Sequence, residues 1–133
     1  MTDLSTTSLY DACRYLSERD KGLARIITDV GACTLEIRNN RSVFEYLCRS
    51  IVYQQLSGKA AGTIHGRMLD LFVHRRPSAE ALLDMPIERL RAAGLSRSKS
   101  LALYDLSQRQ VSGLLPARRR LSQMTDQQIV ETL

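Results

Sequence analysis

Apolar residues recur along this chain at intervals of three and four, almost from end to end, and scarcely anywhere at two. That spacing lines up one apolar stripe on a helix and gives a strand no coherent face. The fold class that follows is all-α, a bundle of about seven to eight helices. The clearest stretch opens at Ser42, which stands in capping-box relation to Glu45; Val43, Phe44, Leu47, Cys48, Ile51, Val52 and Leu56 then keep a continuous apolar face. This predicts the core helix, carried through Leu56. Two helices are expected before it, near Ser8 to Arg19 and Lys21 to Val30, the second ended by Gly31. Cys33-Thr34-Leu35-Glu36-Ile37 alternates and is the only strand candidate, followed by a polar turn at Arg38-Asn39-Asn40-Arg41.

Ser57-Gly58 interrupts the core helix, and the next is expected from about Lys59 to His74, with Ala60, Ala61, Ile64, Met68, Leu71 and Phe72 inward and Arg75-Arg76-Pro77 as its stop. Ser78 caps a short helix, Pro86 opens another as far as Ala93, and Gly94-Leu95-Ser96 leads into a helix from Arg97 to about Val111. Segments this short have to pack on neighbours. Ala117 to Gln123 is a further helical candidate. Thr125 and Gln128 form a second capping-box pattern, and the stripe opened by Ile129, Val130 and Leu133 stops after about two turns, which predicts a polypeptide that continues. The expected organisation is one helical domain over residues 1–133, with helices in 1–41 that would pack on a further half and a core helical subdomain in 42–133.

With 44% hydrophobic and 25% charged residues the chain has the balance of a soluble globular protein, and no stretch approaches the apolar length a membrane crossing needs. Met1-Thr2-Asp3-Leu4-Ser5 lacks the basic start and apolar core of a secretory signal, so residence in the cytoplasm is expected. Cys13, Cys33 and Cys48 are widely spaced, with no C-x-x-C pair and only His65 and His74 as further soft ligands; buried or idle thiols are expected, and no metal site, disulfide framework or cofactor. From Arg89 to Arg120 eight basic residues face one acidic residue, Asp105. Such an excess draws polyanions through counterion release without sequence preference, although a solvated basic face is the commoner explanation for such a segment.

The run Ile51-Val52-Tyr53-Gln54-Gln55-Leu56-Ser57-Gly58-Lys59-Ala60-Ala61 resembles the helix-turn-helix element of the DNA-3-methyladenine glycosylase II family, in the helix-hairpin-helix (HhH-GPD) superfamily. Pro77 to Leu83 follows at the expected distance, and Leu90-Arg91-Ala92-Ala93-Gly94-Leu95-Ser96-Arg97-Ser98-Lys99 is similar to the family's G-L-S-x-x-K step. Tyr15-Leu16-Ser17-Glu18-Arg19-Asp20 looks like its first-helix motif. The matches fall in order and span most of the chain.

The resemblance implies a partial glycosylase fold and base excision: duplex DNA is bent, an alkylated base is flipped into a pocket, and water cleaves its N-glycosidic bond. It places on Leu56 the apolar wedge that fills the vacated stack, with Gln55 beside it; the apolar period alone makes Leu56 a core residue instead. Tyr53, Gln54, Gln55, Ser57 and Lys59 are pocket and strand contacts on the resemblance, or an ordinary polar helix end. Ser96, Arg97 and Lys99 open a helix, where free N–H groups and basic side chains can hold a phosphate, or they are caps and surface charges.

The family's G-x-G hairpin and the aspartate that stabilises the cationic sugar have no match in these residues, and nothing carries that aspartate onto Asp105 or Asp126. Asp70, Glu80, Asp84 and Glu88 read as solvated charges or caps. A chain without that carboxylate is expected to lack most of the rate. The expectation is therefore a truncated glycosylase, inactive alone, whose parent acts on double-stranded DNA with alkylated bases; uncovered apolar faces predict a homodimer. A non-catalytic DNA-binding or protein-association module is the alternative.

Overall fold

The computed structural model describes residues 6–36 and 40–133, and these two stretches belong to two separate compact units. In the first unit α1 (Thr6–Arg19) packs on α2 (Lys21–Val30). Asp20 makes the corner: its carboxylate accepts from the N–H groups of Gly22 at 2.7 Å and Leu23 at 3.0 Å, capping α2 as the chain reverses. Gly31, at φ 86°, ends α2 where a side chain would be strained. Residues 33–36 form no regular structure, so the predicted strand is absent there, as expected of a lone extended piece without a partner edge. Ile37 and the Arg38-Asn39 part of the predicted turn lie outside the described residues.

The second unit holds α3 (Val43–Tyr53), α4 (Gly58–Leu69), a 3-10 turn at Val73–Arg75, α5 (Ala79–Leu83), α6 (Ile87–Ala92), α7 (Arg97–Val111), α8 (Arg118–Leu121) and α9 (Asp126–Thr132). Among the described residues all regular structure is helical. The short α5, α6 and α8 carry the number of helices beyond seven or eight. Both predicted capping boxes form, at Ser42/Glu45 and Thr125/Gln128, because each needs only four consecutive residues.

α7 is the central helix, packed against α3, α5 and α6. Leu82, Leu90 and Leu103 are fully buried around it with Val52, Met68 and Cys48, each large side chain contributing about 1.5–3 kcal/mol. Two buried serines let the neighbours close in: Ser100 and Ser107 turn their hydroxyls back to Ser96 O and Leu103 O, so neither leaves an orphaned polar group. Burial pushes the Cys48 thiol up to about 12, helped by the Glu45 charge, which leaves an inert apolar group.

Two helices stop earlier than their apolar stripes suggest. α3 ends at Tyr53 rather than running through Leu56, and α4 ends at Leu69 rather than near His74. After α4 the chain is bent by consecutive left-handed residues, His74 at φ 54° and Arg75 at φ 56°. Ion pairs hold that bend: Arg75 with Asp70, and Arg76 with Glu45 at 3.1 and 3.3 Å. Glu45 thus serves twice, since Ser42 N–H also donates to it at 2.8 Å. The α6–α7 corner needs its glycine for two reasons: Gly94 sits at φ 105°, and a Cβ there would lie 3.1 Å from Ile64 of α4.

Candidate nucleic-acid interface

α3 closes on a polar pair. Gln54 has already left helical geometry (φ −55°, ψ 134°) and Gln55 is left-handed at φ 55°. A non-glycine residue held there is uncommon and is stabilised only by its surroundings. The next residue, Leu56, is 38% exposed. The core position that its period suggested is therefore incorrect: the helix ends three residues before it, and the turn carries its side chain outward. Ser57 then starts α4, its hydroxyl accepting from Ala60 N–H at 3.4 Å, and Gly58 and Lys59 follow on the exposed first turn.

Tyr53 lies under this turn. Its ring is half-buried, with the Arg49 guanidinium 3.9 Å from its centroid on one side and the edge of His65 at 5.8 Å on another. A Cβ on Gly62 would sit 3.6 Å from its hydroxyl, so α4 passes close by. Of the residues expected to contact DNA, Tyr53 is a support, whereas Gln54, Gln55, Leu56, Ser57 and Lys59 are exposed. His65 is buried behind it, and burial together with Arg41, Arg49 and Arg75 keeps its imidazole below the usual value.

The three residues expected to hold phosphate separate. Ser96 caps α7, accepting from Lys99 N–H at 3.2 Å, and Arg97 is exposed beside it. Lys99 turns inward. Its half-buried ammonium donates to Val52 O at 2.8 Å and Gln54 O at 2.7 Å, the carbonyls left open at the end of α3. Two of the three donors of its ammonium thus go to the protein, by a geometry that no local pattern foretells. The basic excess is similarly divided: Arg109 pairs with Asp105 at 2.9 Å, and Arg118 donates to Arg41 O at 2.9 Å. The signal for Arg49 was available in its i,i+4 spacing to Tyr53; none existed for Lys99.

Proteins of known fold and sequence are similar to this chain over most of its length. DNA-3-methyladenine glycosylase 1 of Schizosaccharomyces pombe is 32% identical, with 96% of this chain and 57% of that protein covered. The chain is homologous to the DNA-3-methyladenine glycosylases. A solved S. pombe 3-methyladenine DNA glycosylase in complex with abasic DNA superposes with a TM-score of 0.83 at 28% identity, over 92% of this chain and 60% of that one. A Bacillus halodurans DNA-3-methyladenine glycosidase superposes with a TM-score of 0.71, also at 28% identity, over 99% and 57%. No protein-family model matches. The chain spans about three fifths of the length of these glycosylases, and its all-α architecture is theirs. No helix among the described residues is long and apolar enough to cross a membrane.

Proposed function

We propose that the chain is the DNA-engaging helical part of a base-excision-repair glycosylase of the 3-methyladenine type, an enzyme that flips an alkylated base out of duplex DNA and hydrolyses its N-glycosidic bond. The observation that carries this is the α3–α4 turn, where an exposed leucine, Leu56, stands on a left-handed backbone step between polar neighbours. An apolar wedge replaces the stacking lost when a base leaves the helix and asks for no hydrogen bond in return. Gln54, Gln55, Ser57 and Lys59 flank it as contacts to the opened strand, and Ser96 and Arg97 offer a helix start to a phosphate. The names of the relatives and the abasic DNA of the S. pombe complex support double-stranded DNA with alkylated bases as the partner.

The chain alone binds DNA without releasing base in this proposal, because none of its carboxylates matches the family's catalytic aspartate; Asp105 is exposed and paired with Arg109. The chemistry calls for no cofactor, and the place of action is the nucleoid, in the cytoplasm. A second reading, protein association through a homodimer, is favoured by the uncovered stripe of α2, where Ile26 and Val30 are 58% and 77% exposed.

Titration of the chain against duplex DNA carrying a stable abasic mimic and against undamaged duplex separates these readings. Tighter binding of the mimic is expected, lowered about tenfold in Leu56→Ala, with no base released from alkylated DNA. Equal binding of both duplexes would overturn the DNA proposal, base release would overturn inactivity, and sedimentation of the same samples reads out the dimer.

A further inference from the structure

The Lys99 ammonium sits at two helix ends of opposite character. It is the third residue of α7, where the positive end of the helix dipole disfavours a cation. Its four-carbon stem reaches the end of α3, where unpaired carbonyls favour one. The distances of 2.8 Å to Val52 O and 2.7 Å to Gln54 O are those of charge-assisted bonds, and they use two of the three donors of the ammonium. The stem starts from a fixed place, because Ser96 caps the same turn of α7. Gln54 is the residue at which α3 departs from helical geometry, and Gln55 and Leu56 follow directly.

Resting on the proposed role of Leu56 as a wedge, we infer that Lys99 is a positioning residue: it fixes the exit of α3 so that Leu56 is presented outward, and it acts on DNA through that turn rather than through a phosphate. Without the ammonium, Val52 O and Gln54 O lose their partner and α3 can continue or fray, either of which moves the turn. Lys99 is then worth more to lesion recognition than its single charge.

The test is Lys99→Met, measured for binding to abasic-mimic and undamaged duplex across a range of salt, with amide hydrogen exchange on the protein alone. The preference for the abasic duplex is expected to fall about tenfold, with the slope of log K against log salt unchanged. Lys99→Met is expected to cost little further preference in a Leu56→Ala background, because both act through one element. A direct phosphate contact would instead weaken both duplexes alike and reduce the salt slope by about one, overturning the inference; additive losses in the double variant would overturn it too. If Lys99→Met does not fold, Lys99→Gln, which keeps a donor on a shorter stem, takes its place in each comparison. Exchange is expected to accelerate at Gln54, whose N–H is bonded to Ser50 O at the end of α3, while α7 stays protected. Equal binding of both duplexes by the unsubstituted chain would remove the functional proposal; the exchange data would then still decide whether Lys99 sets the turn, unchanged exchange overturning that as well.

Discussion

Gln55 holds a left-handed backbone, φ 55°, that glycine adopts without cost. Gln55→Gly is expected to raise the free energy of unfolding by up to about 1 kcal/mol, read as an upward shift of the denaturation midpoint at unchanged slope. An unchanged or lower midpoint would mean that the glutamine side chain makes good the strain by its own contacts. At this scale the sequence was informative about which residues mattered and poor on where they point. The segment from Tyr53 to Lys59 was singled out by resemblance, yet periodicity drew Leu56 inward, because a stripe continues on paper past the residue where the backbone leaves it. Nothing in four or five neighbouring residues announces that a lysine more than forty positions away will end a helix at Tyr53.

Capped helix starts were legible, whereas the stops of α3 and α4 were not, for a physical reason. Ser42, Ser57, Ser78, Ser96 and Thr125 each accept from an N–H group three residues on, so the whole cap is written within one turn of sequence. The ends of α3 and α4 depend on Lys99 and on the Arg76–Glu45 pair, which join distant segments. The α6–α7 corner lies between these cases: Gly94 was visible as a joint, while Ile64 beneath it was not. Gly94→Ala is expected to destabilise by about 1–3 kcal/mol, because alanine is strained at φ 105° and its methyl meets Ile64. A thermal melt within about 0.5 kcal/mol of the parent would show that the corner relaxes at little cost.

Across the molecule, two groups make the fold sensitive to acid. The Arg76 guanidinium, aided by Ser42 and opposed by burial, holds the Glu45 carboxyl below its ordinary 4.5, and burial holds His65 below 6.5. In both, the unfolded chain takes up a proton before the folded one, so stability rises with pH through these ranges. The contribution of His65 is present above about pH 6.5 and that of Glu45 above about 4.5, and each is lost as pH falls through its folded value. Denaturation midpoints measured between pH 7 and pH 4 should therefore fall, with Glu45→Gln flattening only the more acidic part; a profile flat across the range would contradict both assignments. The all-α class was plain from spacing, since every described element of regular structure is helical. The clamp between α7 and α3 also sets an order in time. Its donor is made 45 and 47 residues after its two acceptors, and a chain synthesised from its N-terminus exposes α3 and α4 first. The leucine turn takes its final shape only when α7 has emerged and docked, so the last-made of the two segments completes the first.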